Sequence, residues 1–156
     1  MGIEVTYQDK GLLLHQTKYA TDLLQRAGMQ TCKASTTPMV PHTSVTSEVA
    51  FGSPTEFRSL VGALQYLTNT RPNIQFAINT LCQKMHTPTQ ADYAALKRLL
   101  RYIQGTMGRG IHFQSSNLQL LGYSDVDWAS QIDNRKSTTG FCMYLGANLI
   151  SWCSKR

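Results

Sequence analysis

The chain has 156 residues, 42% of them hydrophobic, and a formal net charge of +6, which supplies a core for one domain or two small ones and favours an anionic partner. No apolar run approaches the roughly 20 residues that span a bilayer, and the first residues lack a signal-peptide core, so a soluble protein with no membrane contact is expected. The four cysteines, Cys32, Cys82, Cys142 and Cys153, have neither Cys-X-X-Cys spacing nor the density of a secreted disulfide scaffold, so reduced thiols are expected.

Along the chain, Ile3, Val5 and Tyr7 alternate, Asp9-Lys10-Gly11 offers a turn, and Leu12 to His15 runs extended, which predicts a β-hairpin over residues 2–15. Met1 to Thr6 also fits a loose myristoylation pattern, but the alternation favours a strand. Thr17 is the expected cap of a helix whose stripe is Tyr19, Ala20, Leu23, Leu24 and Ala27, ended by Gly28. Residues 30–54 are rich in Ser, Thr and Pro without sustained periodicity and read as an extended, flexible linker.

Ser53-Pro54-Thr55-Glu56 has the pattern of a capping box opening a helix with Phe57, Leu60, Val61, Leu64 and Leu67 inward. Pro72 opens a second, with Ile74, Ala77, Ile78, Leu81, Cys82 and Met85. Thr87-Pro88-Thr89-Gln90 offers another box ahead of a third, in which Tyr93, Leu96, Leu99, Leu100 and Ile103 share a face and Lys97, Arg98 and Arg101 lie roughly opposite. These three helices predict a small bundle.

After Gly105 the pattern turns extended over Gly110 to Phe113, Leu118 to Asp125, Gly140 to Leu145 and Asn148 to Cys153, which predicts an antiparallel meander. A final hairpin turning at Ala147-Asn148 would set Cys142 opposite Cys153. Free thiols are still expected, because bridging directly opposed residues strains a disulfide. The fold class is α+β: an N-terminal hairpin and helix, a three-helix bundle and a C-terminal meander. Apolar surface near Phe141, Tyr144, Ile150 and Trp152 predicts self-association.

The charge is concentrated. Between Phe57 and Phe113 stand Arg58, Arg71, Lys84, Lys97, Arg98, Arg101 and Arg109 against the single acid Asp92, while the rest of the chain is balanced. Lys97, Arg98 and Arg101, extended by Arg71 and Lys84, form a candidate track for phosphates, and nothing in it reads base identity. Asp125 and Asp127, two apart on a strand, point to one side of the sheet and could share a hard cation. Two carboxylates bind magnesium weakly, so no tightly held metal is expected. Cys82 and His86 are four apart on a helix, but no further zinc ligands accompany them. Tyr66, Tyr93 and Tyr102 fit core or rim positions better than base-stacking ones.

The sequences Gly122-Tyr-Ser-Asp-Val-Asp-Trp-Ala129 and Asn134-Arg-Lys-Ser-Thr-Thr-Gly-Phe-Cys-Met-Tyr-Leu-Gly146, with Ile150 to Arg156, resemble the opening strands of a copia-type retrotransposon ribonuclease H. Phe57 to Thr68, Thr70-Arg-Pro-Asn-Ile74 and Leu96 to Thr106 are similar to the thumb and connection of the copia-type reverse transcriptase, and Gly2 to Val5 resembles a strand just after its palm. Similar reading frames occur in plant genomes, including mitochondrial ones. The resemblance divides the chain into the end of a palm/thumb hairpin and helix (1–29), a linker (30–54), a thumb- or connection-like helical segment (55–113) and ribonuclease H-like strands (114–156). It implies a parental role in RNA-directed DNA synthesis with hydrolysis of the RNA strand, magnesium as the parental cofactor, and Asp125 as the first of four metal-binding carboxylates.

The other three ribonuclease H carboxylates, and the polymerase's Tyr-X-Asp-Asp, do not occur in these residues. The fragment is therefore expected to be catalytically inactive by itself and to be a sequence-tolerant nucleic-acid-binding module. Its expected partners are an RNA–DNA hybrid or duplex and the missing polyprotein segments. A domesticated protein-binding fragment and an inert translated remnant are the alternatives; the sequence names no compartment.

Overall fold

A computed structural model describes residues 2–40, 48–127 and 137–155, with Asp127 described for its backbone only. The elements are β1 (Glu4–Gln8), β2 (Gly11–His15), α1 (Thr17–Arg26), α2 (Pro54–Leu67), α3 (Gln75–Cys82), α4 (Gln90–Gln104), β3 (Ile111–Gln114), β4 (Leu120–Asp127), β5 (Thr138–Leu145) and β6 (Asn148–Lys155), with a 3₁₀ turn over Pro72–Ile74 leading into α3. The class is α+β, four helices with two antiparallel three-stranded sheets.

One core takes the apolar stripes of all four helices. Leu23 and Leu24 of α1 are buried with Phe57, Leu60, Val61 and Leu64 of α2, Ala77 and Ile78 of α3, and Leu96, Leu99 and Ile103 of α4. The first helix thus joins the expected three-helix bundle, because its stripe recurs at the three- and four-residue spacing that presents one apolar face. Its N-terminus is not capped by Thr17, which is already helical. The Thr17 N–H reaches His15 Nδ1 (3.4 Å) and the Lys18 N–H donates to Glu4 Oε1 (2.9 Å), so the hairpin supplies the cap.

Two other caps differ from expectation. Ser53 makes no side-chain cap bond, and Glu56 instead accepts from the Tyr93 hydroxyl at 3.3 Å. At α4 the box is Thr89 with Asp92: the Asp92 N–H donates to Thr89 Oγ1 (3.2 Å) and Asp92 Oδ2 accepts from the Thr89 N–H (2.8 Å). Asp fills the role expected of Glu or Gln because its carboxylate reaches back over the same first turn.

The N-terminal hairpin gains a third strand from far along the chain. β3 pairs with β2, Leu14 opposite Ile111 and Leu12 opposite Phe113, giving the order β1-β2-β3. The second sheet runs β4-β5-β6. Its last hairpin turns at Gly146-Ala147, one residue earlier than expected, since Gly146 takes the left-handed conformation (φ 59°) that the tight turn requires. With the shift between Met143 and Tyr144, Cys142 lies opposite Trp152 and Phe141 opposite Cys153, so the two thiols fall on opposite faces and both are free.

The sheets and helices are joined by polar contacts. The Asn148 side chain pairs with the Gln114 backbone, accepting from its N–H (2.8 Å) and donating to its carbonyl (2.9 Å), while Trp152 Nε1 donates to the Thr68 carbonyl (3.2 Å). That bond leaves Trp152 half-buried, as Tyr144 is beneath Tyr123, whereas Phe141 and Ile150 are exposed as expected. No helix among the described residues is long and apolar enough to cross a membrane.

Candidate nucleic-acid interface

α4 carries the densest group of cations because its apolar positions recur every three or four residues and push Lys97, Arg98 and Arg101 away from the core. Lys97 is exposed, with its Nζ 4.8 Å from the Tyr93 ring centroid. The other face-sharing cations are half-buried and engaged by the segment expected to be a free linker. Arg98 Nη2 donates to Thr37 Oγ1 (2.7 Å), Arg101 Nε donates to the Lys33 carbonyl (2.7 Å), and the Ser35 N–H donates to the Arg101 carbonyl (3.2 Å). Residues 33–37 are therefore a strap held across the C-terminal half of α4.

Acids do not neutralise this face. Asp92 is spent on the α4 cap and Glu56 on Tyr93. Among the described residues, none of the seven cations between Phe57 and Phe113 forms an ion pair with a carboxylate. The cations of this stretch therefore outnumber the acids near them, and neither Asp92 nor Glu56 is ion-paired to any of them.

Arg71 does not extend the track. It is 3% exposed: Nη1 donates to the Thr106 carbonyl (3.0 Å), Nη2 to Thr106 Oγ1 (2.7 Å) and Nε to Asn73 Oδ1 (3.2 Å), with the guanidinium 5.9 Å from the Tyr102 ring centroid. Burial lowers its pKa, yet a guanidinium stays charged in a protein, so this is a buried cation held by neutral acceptors. The exposed cation at this end is Arg109, whose Nη1 reaches the Tyr102 hydroxyl at 3.3 Å. Sequence reasoning passed over Arg109 because it follows the helix; its only signal was its place in the charge count. Lys84 is exposed in the turn after α3.

The tyrosines are occupied. Tyr102 is buried and its hydroxyl accepts from Asn73 Nδ2 (2.8 Å), while the Tyr93 ring stacks on Phe51 at 4.0 Å with an interplanar angle of 18°. Burial first, then Glu56, raises the Tyr93 pKa. Cys82 receives a bond from Gln65 Nε2 (3.2 Å), and burial pushes its thiol pKa up, away from the thiolate a metal would need.

Asp125 is exposed on β4, opposite Gly140, with the Asp127 backbone opposite Thr138. Among the described residues no three His, Cys, Asp or Glu side chains come together to hold a metal ion. This donor set does not fit a magnesium centre, which requires near-octahedral oxygen coordination.

Over its whole length the chain is 48% identical to an uncharacterized mitochondrial protein of Arabidopsis thaliana, and 48% and 46% identical to the retrovirus-related Pol polyproteins from transposons RE1 and RE2 of that plant. The chain belongs to the copia-type retrotransposon Pol family and corresponds to a segment of its reverse transcriptase/ribonuclease H polyprotein. It spans 66% of the mitochondrial relative and 11% of each polyprotein. No family model and no solved structure matches it.

Proposed function

We propose that residues 1–156 form a sequence-tolerant nucleic-acid-binding segment that is not catalytic by itself, in which 55–113 is the thumb- or connection-like part and 114–156 the ribonuclease H-like part. The observation that carries the reading is the α4 face: Lys97, Arg98 and Arg101 with no carboxylate ion-paired to them among the described residues. Lys84 and Arg109 are the exposed cations available to extend it, and Arg71 drops out. The partner is an RNA–DNA hybrid or another duplex, recognised through phosphates. Asp125 is the inherited carboxylate of a magnesium site whose remaining ligands belong to other polyprotein segments.

Lys97, Arg98 and Arg101 replaced together by Gln should keep helicity, since Gln is a comparable helix former. Losing up to three phosphate contacts flattens the log–log salt dependence of hybrid binding by as much as about 2.7 units, equally for unrelated sequences. Equal affinity and slope in parent and variant would remove α4 as the binding face.

A protein-binding reading has its own observation: the second sheet leaves Leu120 58%, Tyr123 60% and Val126 54% exposed, which suits contact with another polypeptide. Absence of hybrid binding at low salt favours that reading.

A further inference from the structure

The strap over α4 occupies the cations that the proposed binding face requires. Arg98 and Arg101 donate to Thr37 Oγ1 and the Lys33 carbonyl, both neutral acceptors on exposed residues. A phosphate oxygen is a stronger acceptor for a guanidinium than either, because the bond is then charge-assisted on both sides. The strap also serves Arg98 incompletely: its Nε is buried without a hydrogen-bond partner. A phosphate bound in the two-pronged geometry that a guanidinium favours would give this buried donor an acceptor once the strap lifts.

Release costs little on the protein side. Lys33 and Thr37 return their oxygens to water, and the Arg101 carbonyl keeps its helical bond from the Gly105 N–H (3.2 Å) when the Ser35 N–H leaves. The segment remains anchored at both ends, since Met29 and Met39 pack against the core. Only the middle, 33–37, has to lift. Its close approach depends on Gly105, where an added Cβ would lie 2.8 Å from Ala34 Cβ.

We propose that residues 33–37 are an autoinhibitory strap, an intramolecular competitor that neutral acceptors hold on Arg98 and Arg101 and that a nucleic-acid phosphate backbone displaces. The inference rests on the binding reading above. It makes affinity depend on strap closure as well as on cation count, because the apparent affinity falls with the fraction of molecules whose site is free.

The test uses the full chain and a short RNA–DNA hybrid at low salt, with hydrogen exchange at the Ser35 amide as the strap readout. Saturating hybrid should accelerate exchange at Ser35, whose bond to Arg101 is broken on release. Thr37→Val, which removes the Arg98 acceptor, and Gly105→Ala, which crowds Ala34, should each bind roughly three- to tenfold more tightly, the range for one lost competing hydrogen bond. Ser35 exchange unchanged or slowed by hybrid, or both variants binding no more tightly than the parent, overturns the strap while leaving the binding face intact. No binding by the parent or by Thr37→Val overturns the binding reading and the strap with it; binding by Thr37→Val alone supports the strap.

Discussion

Arg71→Met separates a cation that builds the fold from those that serve the surface. Met approximates the length of the arginine stem and carries no charge, so it removes the bonds to Thr106 and Asn73 without opening a large void. Asn73 is exposed and turns to water, and Thr106 Oγ1 still donates to the Tyr102 carbonyl at 2.7 Å. The remaining losses are two charge-assisted bonds, one to the Thr106 carbonyl, which keeps its bond from the Arg109 N–H (3.1 Å), and one to Thr106 Oγ1, about 1.5–3 kcal/mol each. Part is recovered because no charge is buried any longer, which leaves a net destabilisation of about 3 kcal/mol. For a chain of this size that lowers Tm by about 6–12 °C in a thermal melt. The salt slope of hybrid binding, measured where the variant is folded, should equal the parent's. Unchanged stability together with a slope reduced by about 0.9 would refute the assignment and return Arg71 to the phosphate track.

Thr89→Ala removes the Oγ1 acceptor of the α4 box, leaving the backbone N–H of residue 89 on Asp92, and should cost about 1 kcal/mol in denaturant unfolding, whereas Ser53→Ala, with no cap bond to lose, should stay within about 0.5 kcal/mol; comparable losses at both sites would contradict the cap geometry. Cleavage of an RNA–DNA hybrid by residues 1–156 should stay at background with magnesium or manganese, and Asp125→Asn should change nothing, because the described donors do not form a metal site. Cleavage abolished by that substitution would show a competent centre.

The apolar periodicity by itself determined the four helices: the burial of Leu60, Val61, Leu64 and Leu67, or of Leu96, Leu99, Leu100 and Ile103, follows from spacing alone, since a helix turns an i, i+3, i+4 pattern into one face. The motifs likewise carried the family, because three sequence blocks in order are a local property of the chain. Tertiary structure decided what depends on distant partners. β3 is only four residues long and becomes a strand against β2, about a hundred residues earlier in the chain. The cap of α1 comes from Glu4 for the same reason, and the register shift between Met143 and Tyr144 moves Cys153 to the face opposite Cys142. Charge was the least legible feature. Arg71 and Arg109 are indistinguishable as letters, yet one is sealed under Tyr102 and Thr106 and the other is exposed, and Arg98 and Arg101 carry a strap from sixty residues or more away. Whether a cation is surface, scaffold or occupied is set by which acceptors the folded chain brings to it, and only packing supplies those.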